Sequence, residues 1–123
     1  MTVKGIFYVF AFASDLVRSK AFYGETLGWT LGTDEHGVAG FSFGAGYLIL
    51  HEDSRPAGSR SYPGGMHVEV QVADATAEHA RLKALGVDVS PLQDQPWGER
   101  NFSFHDPDGY PWSYGQQAVV HPQ

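Results

Sequence analysis

The sequence contains no cysteine, and this absence excludes disulfide bonds, thiolate nucleophiles and metal sites built from cysteine ligands. Basic residues are also few: the chain has 8 lysines and arginines against 14 aspartates and glutamates, for a formal net charge of −6. Nucleic acids and anionic membrane surfaces are recognised through clustered positive charge, so we expect no nucleic-acid partner and no membrane partner. The sequence shows neither a long apolar run nor an export signal, which favours a cytoplasmic protein.

The chain reads as one module present twice. With 123 residues, it has the length of a single domain that can bury a real core. In each half a strand-like stretch leads to an aspartate, Asp15 or Asp74, and a helix-like stretch follows. Tyr8 and His67 each stand seven positions before that aspartate. The repeated order β-α-β-β-β predicts an α+β fold of two paired modules, at about residues 5–53 and 65–117, joined by a linker at about 54–64.

The boundaries of the elements follow from caps, turns and alternation. Asp15 and Asp74 are candidate helix N-caps, since a carboxylate accepts hydrogen bonds from the free N–H groups of the first turn. Gly28 and Gly86 can end the two helices in a left-handed conformation. The predicted strands are residues 5–13, 29–31, 41–43 and 47–52 in the first module and 67–72, 87–89, 100–105 and 110–116 in the second, with a polar turn at 33–40 and a loop at 91–98.

The first strand of the second module separates two kinds of side chain. Its valines point to one face and its polar residues to the other, because side chains alternate along a strand. The valine face needs an apolar cover, and the helix of the same module is the nearest candidate. The polar side chains are His67, Glu69 and Gln71, and by the repeat their counterparts in the first module are Tyr8, Phe10 and Phe12. A site with one aromatic wall and one polar wall suits a planar, partly polar organic ligand.

An ordered set of short motifs on this duplicated frame resembles the vicinal oxygen chelate superfamily. The motifs are Phe22-Tyr23 and Leu27-Gly28-Trp29 after the first helix, and Trp97-Gly98-Glu99-Arg100 leading to Asp106-Pro107-Asp108-Gly109. The superfamily includes glyoxalase I, extradiol dioxygenases and the fosfomycin- and bleomycin-resistance proteins, and the segment from Trp97 most resembles the glyoxalase-like and bleomycin-resistance-like branches. The resemblance implies an incomplete barrel, or cup, formed by the two modules, and a homodimer.

The resemblance also implies where a divalent metal would bind in an enzymatic member. The first-strand positions fall on Tyr8 and His67. The last-strand positions, counted four residues after the turn glycines, fall on Leu50 and Ser113. Only His67 is a common ligand, and a shift by one pleat would add Glu52. Because catalytic zinc usually has three protein ligands, we expect no metal cofactor, and His67 with Glu52 is the best set if one is present.

Two further residues border the expected site. Trp97 can stack on a planar ligand, and Arg100 can either meet a carboxylate or phosphate or pair with a nearby acid such as Asp106 or Asp108. The ligand-binding set is then Tyr8, Phe10, Phe12, Leu50, His67, Glu69, Gln71, Trp97, Arg100 and Ser113. His51 is expected on the opposite face.

Three functions remain open at this point. The first is metal-independent binding of an aromatic or partly cationic small molecule. The second is a divalent-metal-dependent lyase, isomerase or dioxygenase with the shifted ligand set. The third is a metal-free enzyme with acid–base chemistry at Tyr8, His67 or Glu69, so the sequence alone does not decide whether the protein is an enzyme.

Overall fold

The structure is a computed structural model that describes residues 2 and 4, residues 6–56 and residues 68–117. The chain divides into two compact units, residues 1–62 and 63–123. Each unit contains a four-stranded mixed sheet and follows the order β-α-β-β-β, so the predicted fold class is confirmed. Most of the expected linker, and His67, lie outside the described residues.

The first unit is an open sheet with one helical segment. Its strand order is β1-β4-β3-β2, with β1 parallel to β4 and the remaining pairs antiparallel. The elements are β1 (Val9–Ala13), α1 (Leu16–Ala21) continuing into a π-helical turn (Phe22–Thr26), β2 (Thr30–Glu35), β3 (Val38–Phe43) and β4 (Gly46–Glu52).

The second unit repeats this topology. Its strand order is β5-β8-β7-β6, with β5 parallel to β8. The elements are β5 (Val68–Gln71), α2 (Ala75–Ala84), β6 (Gln93–Asp94), β7 (Glu99–His105) and β8 (Pro111–Gln117). Neither helix, within the residues that the structure describes, is long and apolar enough to cross a bilayer.

Both predicted helix caps are present. The Asp15 carboxylate accepts a hydrogen bond from the Arg18 backbone N–H at 3.2 Å, and Asp74 accepts one from Ala77 at 3.0 Å. Gly28 and Gly86 have φ angles of 77° and 88°. These are the left-handed conformations that glycine adopts without the steric cost of a Cβ.

Three predicted boundaries in the strands and loops are wrong. The expected turn at 33–40 is mostly strand, because a two-residue turn at His36 and Gly37, with φ angles of 53° and 75°, joins β2 directly to β3. Residues 87–89 are not a strand; instead β6 lies inside the expected loop and pairs with β7. The first strand begins at Val9 rather than at residue 5.

Each sheet buries the face that its own helix contacts. In the first unit this face carries Leu48, Leu50 and Phe41, and the Phe41 ring lies 5.8 Å from that of Tyr23. In the second unit the corresponding face carries the buried residues Phe102, Phe104, Trp112 and Tyr114. The opposite face of each sheet is therefore left uncovered by the helix of its own unit.

Candidate ligand site

The second sheet presents a polar face that lines a cleft of about 290 Å³. Register places its side chains together: Glu69 pairs with Ser113, Gln71 with Gly115, and Glu99 with Gln117. Residues that pair directly across a sheet point to the same side. The lining residues are Glu69, Gln71, Trp97, Gly98, Glu99, Gly115 and Gln117.

Two carboxylates converge over a glycine at the base of this cleft. A Cβ placed on Gly115 would lie 3.0 Å from Oε2 of Glu99 and 3.2 Å from Cδ of Glu69. The missing side chain at 115 therefore creates the space that the two carboxylates occupy. Glu69 reaches this point from β5 and Glu99 from β7, on either side of the strand that carries Gly115.

An amide network orients the two carboxylates. Nδ2 of Asn101 donates a hydrogen bond to Oε1 of Glu99 at 2.8 Å and to Oε1 of Glu69 at 3.4 Å. Oδ1 of the same amide accepts a hydrogen bond from Nε2 of Gln95 at 3.0 Å. Because Gln95 holds the oxygen of the Asn101 amide, its nitrogen faces the glutamates, and a donor is thus directed at both anions.

Trp97 stands at the rim of the cleft. It lies in a tight turn in which the Gly98 N–H donates to the Gln95 carbonyl oxygen at 3.0 Å and Gly98 has a φ of 90°. The indole is 69% exposed while lining the cleft. A large, exposed aromatic ring beside two carboxylates is suited to stacking on a planar ligand.

The structure brings four of the expected binding residues to this one face and directs Arg100 elsewhere. Glu69, Gln71 and Trp97 line the cleft, and Ser113 pairs with Glu69 on the same side. Arg100 shares the opposite face with Phe102 and Phe104, because these positions differ by an even number.

The guanidinium group of Arg100 makes its hydrogen bonds on the sheet face that α2 contacts. Its Nε and Nη2 donate to Asp94 at 2.7 and 3.2 Å, and its Nη1 donates to Thr76 Oγ1 at 3.1 Å. These hydrogen bonds lower the pKa of the Asp94 carboxyl and raise the pKa of Arg100. Of the two roles expected for Arg100, pairing with an acid is therefore the one observed. The acid is Asp94 rather than Asp106 or Asp108.

In the first unit, the aromatic residues lie on the sheet face that is not covered by α1. Phe10 pairs with Ile49 and Phe12 with His51, and the Phe10 ring lies 5.1 Å from Phe12 and 4.8 Å from His51. The expectation for His51 is therefore wrong, since it shares a face with the aromatic residues. Tyr8 precedes β1, and its ring lies 5.3 Å from that of Phe7.

Leu50 and Glu52 occupy the opposite, helix-facing side of β4. Leu50 is 0% exposed in the core, paired with Ala11 and Ala39. The Glu52 carboxylate accepts a 2.8 Å hydrogen bond from the backbone N–H of Leu16, the first residue of α1. The structure therefore does not bring Leu50 to the aromatic residues, and it gives Glu52 a capping contact.

The described donors expected for a divalent metal do not form a fitting set. Leu50 offers no donor, Ser113 offers a hydroxyl, and Glu52 is committed to the start of α1. His67 lies outside the described residues. Within residues 6–56 and 68–117, no three or more histidine, aspartate or glutamate side chains are grouped so that they could hold a metal ion.

The expected binding set did not include Glu99, His51 or Arg55. Glu99 had an available signal: Phe102 and Phe104 must be buried, so alternation places Arg100 with them and Glu99 with the polar residues. The face on which His51 lies depends on the register between β1 and β4, and no sequence pattern indicates that register. Arg55 falls in the expected linker at about residues 54–64, and its guanidinium carbon lies 4.4 Å from the centre of the Phe12 ring.

Known proteins share this sequence pattern and this fold. The uncharacterised protein YaeR of Escherichia coli K12 is 29% identical over 126 residues, covering 94% of this chain and 98% of its own length. The crystal structure of TnmS3, an antibiotic binding protein from Streptomyces sp. CB03234, matches with a TM-score of 0.79 and 28% identity, covering 95% of this chain and 98% of that one. TioX from Micromonospora sp. ML1 matches with a TM-score of 0.73 and 26% identity, covering 96% of this chain and 100% of that one.

The model of one protein family matches most of this chain. It matches residues 5–114, a range that includes most of both units and all the cleft-lining residues except Gly115 and Gln117. The chain belongs to the Glyoxalase/Bleomycin resistance protein/Dioxygenase superfamily.

Proposed function

We propose that this protein binds a planar, cationic small organic molecule on the polar face of its second unit, without a metal ion. The observation that carries the proposal is the convergence of Glu69 and Glu99 over Gly115, beside the exposed indole of Trp97. Two directed carboxylates offer strong acceptors to an ammonium or amidinium group. The indole offers a face on which the flat part of the same molecule can stack.

The remaining groups of the cleft favour the same class of ligand. Gln71 and Gln117 each carry an amide that can both donate and accept a hydrogen bond. They can therefore bind neutral polar groups that the ligand carries beside its cationic group. None of the cleft-lining residues that the structure describes is a lysine or an arginine. The formal net charge of −6 adds a long-range attraction for cations.

A binding function has support among the relatives. TnmS3 is an antibiotic binding protein, and the superfamily includes bleomycin resistance proteins. We infer from the same resemblance that the protein is a homodimer, for which its mass in solution is the direct measurement. We also propose a cytoplasmic location, which a sequence without cysteine favours.

Three ligands that share one ring system test the charge preference. 1-Naphthylmethylammonium, 1-naphthalenemethanol and 1-naphthoate differ mainly in charge and can be titrated by calorimetry and by quenching of tryptophan fluorescence. We expect the ammonium compound to bind the second unit at least tenfold more tightly than the alcohol. The variants Glu69→Gln and Glu99→Gln should each weaken its binding by about tenfold, which corresponds to about 1.4 kcal/mol.

A matched control separates local from general charge effects. Glu78→Gln removes the same charge from α2, where Glu78 pairs with Arg81 at 3.0 Å, and should leave the affinity for the ammonium compound unchanged. Equal weakening by Glu78→Gln would contradict the proposal. Binding or turnover that appears only when manganese, nickel or zinc is added, and that a chelator removes, would instead favour the metal-dependent lyase, isomerase or dioxygenase.

A further inference from the structure

A groove on the helix side of the first unit is separate from the open sheet faces. It lies between α1 with its π-helical turn and the edge strand β2, and has a volume of about 340 Å³, which is within the range of small-molecule pockets. The six-residue helix packs against β3 and β4, whereas β2 lies at the edge of the sheet and all its residues are exposed. The groove is the space that so short a helix leaves beside the outermost strand.

The walls and floor of this groove are apolar. Phe41 forms the floor and is buried. Leu31 pairs with Phe41 across the sheet, so both side chains point to the helix side. Val17 on α1 and Leu31 on β2 form the two walls, with 79% and 43% of their surface exposed. A hydrocarbon group that covered these side chains would remove apolar surface from water and gain free energy.

The π-helical turn after α1 opens the groove at one end. Its wide hydrogen-bonded ring is closed by the Leu27 N–H, which donates to the carbonyl oxygen of Phe22, five residues back, at 2.9 Å. The turn brings Gly24 and Glu25 to the groove. A Cβ on Gly24 would lie 3.3 Å from Cε1 of Phe41, so the missing side chain leaves room above that ring. Single π-helical turns within helices are frequent at functional sites.

The charged residues of the groove leave one carboxylate unpaired. Lys20 is the one basic residue among the described lining residues, and its Nζ donates to Oδ1 of Asp34 on β2 at 2.7 Å. Glu25 is exposed and makes no hydrogen bond or ion pair with any residue that the structure describes. A protonated amine in the groove would therefore meet a free carboxylate, while the nearby ammonium group is already neutralised by an acid.

The second unit closes the corresponding space with a side chain of its own. Lys20 and His79 are equivalent, because each is the fifth residue of its helix. The His79 ring lies edge-on against Phe102, with centroids 5.1 Å apart, and its Nε2 is 2.9 Å from the carbonyl oxygen of Ser90. Since a carbonyl oxygen only accepts, Nε2 carries the hydrogen. A ring with an N–H group thus fills the second unit, whereas Lys20 reaches across to Asp34 and leaves the first unit open.

We propose that this groove binds a small protonated amine with a compact hydrocarbon ring. The ring lies over Phe41 between Val17 and Leu31, and the ammonium group donates hydrogen bonds to Glu25. The ligand then supplies to the first unit the ring and the N–H group that His79 supplies to the second. The inference does not depend on the proposed cation site, because the residues that carry it all lie on the helix side of the first unit.

The first test compares two ligands on the unaltered protein. Cyclohexylmethylammonium and cyclohexanemethanol share ring and shape but differ in charge. In a two-dimensional NMR titration, we expect the ammonium compound to shift the backbone resonances of Val17, Ala21, Gly24 and Leu31 and to bind at least threefold more tightly than the alcohol. Equal affinity of the two compounds, or shifts confined to the second unit, would overturn the proposal. Shifts of these resonances with protein concentration alone would assign the groove to a second copy of the chain and would overturn it as well.

Two variants assign the binding to the groove. Glu25→Gln should weaken binding of cyclohexylmethylammonium by at least threefold and leave cyclohexanemethanol within twofold. Gly24→Ala should weaken both compounds severalfold, because the added methyl group takes up space above the Phe41 ring. Unchanged affinity in Glu25→Gln would contradict the role of the carboxylate, and unchanged affinity in Gly24→Ala would place the ligand elsewhere.

Glu35→Gln is the matched control for charge. It removes the same charge from β2, but Glu35 follows Asp34 directly and so points to the other face of the strand. This variant should leave the affinity for cyclohexylmethylammonium unchanged, and equal weakening by Glu35→Gln and Glu25→Gln would contradict the proposal.

The two proposed sites fail separately. Glu25→Gln should leave binding of 1-naphthylmethylammonium to the second unit intact, and Glu69→Gln should leave binding of cyclohexylmethylammonium to the groove intact. Loss of groove binding in Glu69→Gln would show that both compounds occupy the polar cleft and would overturn the inference.

Discussion

Glu52 and Gln116 occupy equivalent positions in the two units. Oε2 of Glu52 accepts a hydrogen bond from the backbone N–H of Leu16 at 2.8 Å, and Oε1 of Gln116 accepts one from Ala75 at 2.8 Å. Leu16 and Ala75 are the first residues of the two helices. In each unit the last strand thus satisfies one of the N–H groups that a helix leaves unpaired at its start.

Replacing Glu52 tests this capping contact. Glu52→Ala should lower the free energy of unfolding by about 1 kcal/mol, because one N–H of the first turn loses its acceptor. Glu52→Gln should cost less than half of that, since the second unit already uses a glutamine at this position. Urea denaturation followed by circular dichroism measures both. Equal losses for Ala and Gln would indicate that the charge, rather than the acceptor atom, matters.

Adding a methyl group at Gly115 should affect the cleft more than the fold. A Cβ there would lie 3.0 Å from Oε2 of Glu99 and 3.2 Å from Cδ of Glu69, so the ends of these flexible side chains must move apart. We expect Gly115→Ala to change the free energy of unfolding by less than about 1 kcal/mol and to weaken binding of 1-naphthylmethylammonium severalfold. Calorimetry and urea denaturation give the two values. Gly109→Ala is the control: Gly109 has open space around it but a φ of 85°, which strains an alanine, so this variant should lose stability and leave that binding unchanged. A stability loss with unchanged binding would contradict the role of Gly115 as the space for the carboxylates.

The position of the Tyr47 ring predicts that a side chain added at Gly40 will strongly destabilise the fold. The phenol ring lies across the sheet of the first unit, where a Cβ on Gly40 would lie 2.7 Å from Cζ and 2.8 Å from Cε2 of Tyr47. The hydroxyl accepts a hydrogen bond from the backbone N–H of Thr33 at 3.2 Å, next to an irregularity in the β2–β3 register. Gly40→Ala should therefore lower the free energy of unfolding by about 1–3 kcal/mol, as overpacking does.

A double-mutant cycle identifies the clash. In a Tyr47→Ala background the ring is gone, so Gly40→Ala should cost less than a third of its effect in the unaltered protein. Thermal or urea unfolding of the four proteins provides the cycle. An additive result would mean that Tyr47 is not what excludes a side chain at residue 40.

The ion pair between Asp94 and Arg100 predicts a dependence of stability on pH. The hydrogen bond from Arg100 lowers the pKa of the folded Asp94 carboxyl, so the pair stabilises the fold above the unfolded pKa of about 3.9. That contribution is lost as the pH falls through the lower, folded value. Asp94→Asn should remove this part of the acid dependence, so the difference in stability between the variant and the unaltered protein should shrink steadily as the pH falls below about 3.9. An NMR titration of the Asp94 carboxyl carbon checks the direction of the shift directly.

Several local features could be predicted from residues alone. Asp15 and Asp74 cap their helices, and Gly28 and Gly86 end them, because these side chains suit the unpaired groups and the left-handed turn regardless of what packs around them. The alternation along β5 likewise placed Glu69 and Gln71 on one face. These predictions depend only on neighbours within a turn or two of the chain.

The failed predictions for Leu50, Glu52 and His51 concern the register between strands that are distant in sequence. Counting from the turn glycine placed Leu50 opposite Ser113 in the repeat, but Phe10 pairs with Ile49 as Glu69 pairs with Ser113. Ile49 is therefore the counterpart. A slip of one residue moves every side chain of a strand to the other face, so Leu50 and Glu52 face the helix and His51 joins the aromatic residues.

The sequence by itself determined the caps, the alternating faces and the duplicated order of elements, because each of these follows from short-range backbone geometry and hydrogen bonding. Only the tertiary structure decided which side chains converge: Glu99 with Glu69 over Gly115, and Arg55 with Phe12 through Asp53. Both convergences depend on how segments far apart in the chain pair or pack, and that is set by burial summed over a whole sheet rather than by any local pattern.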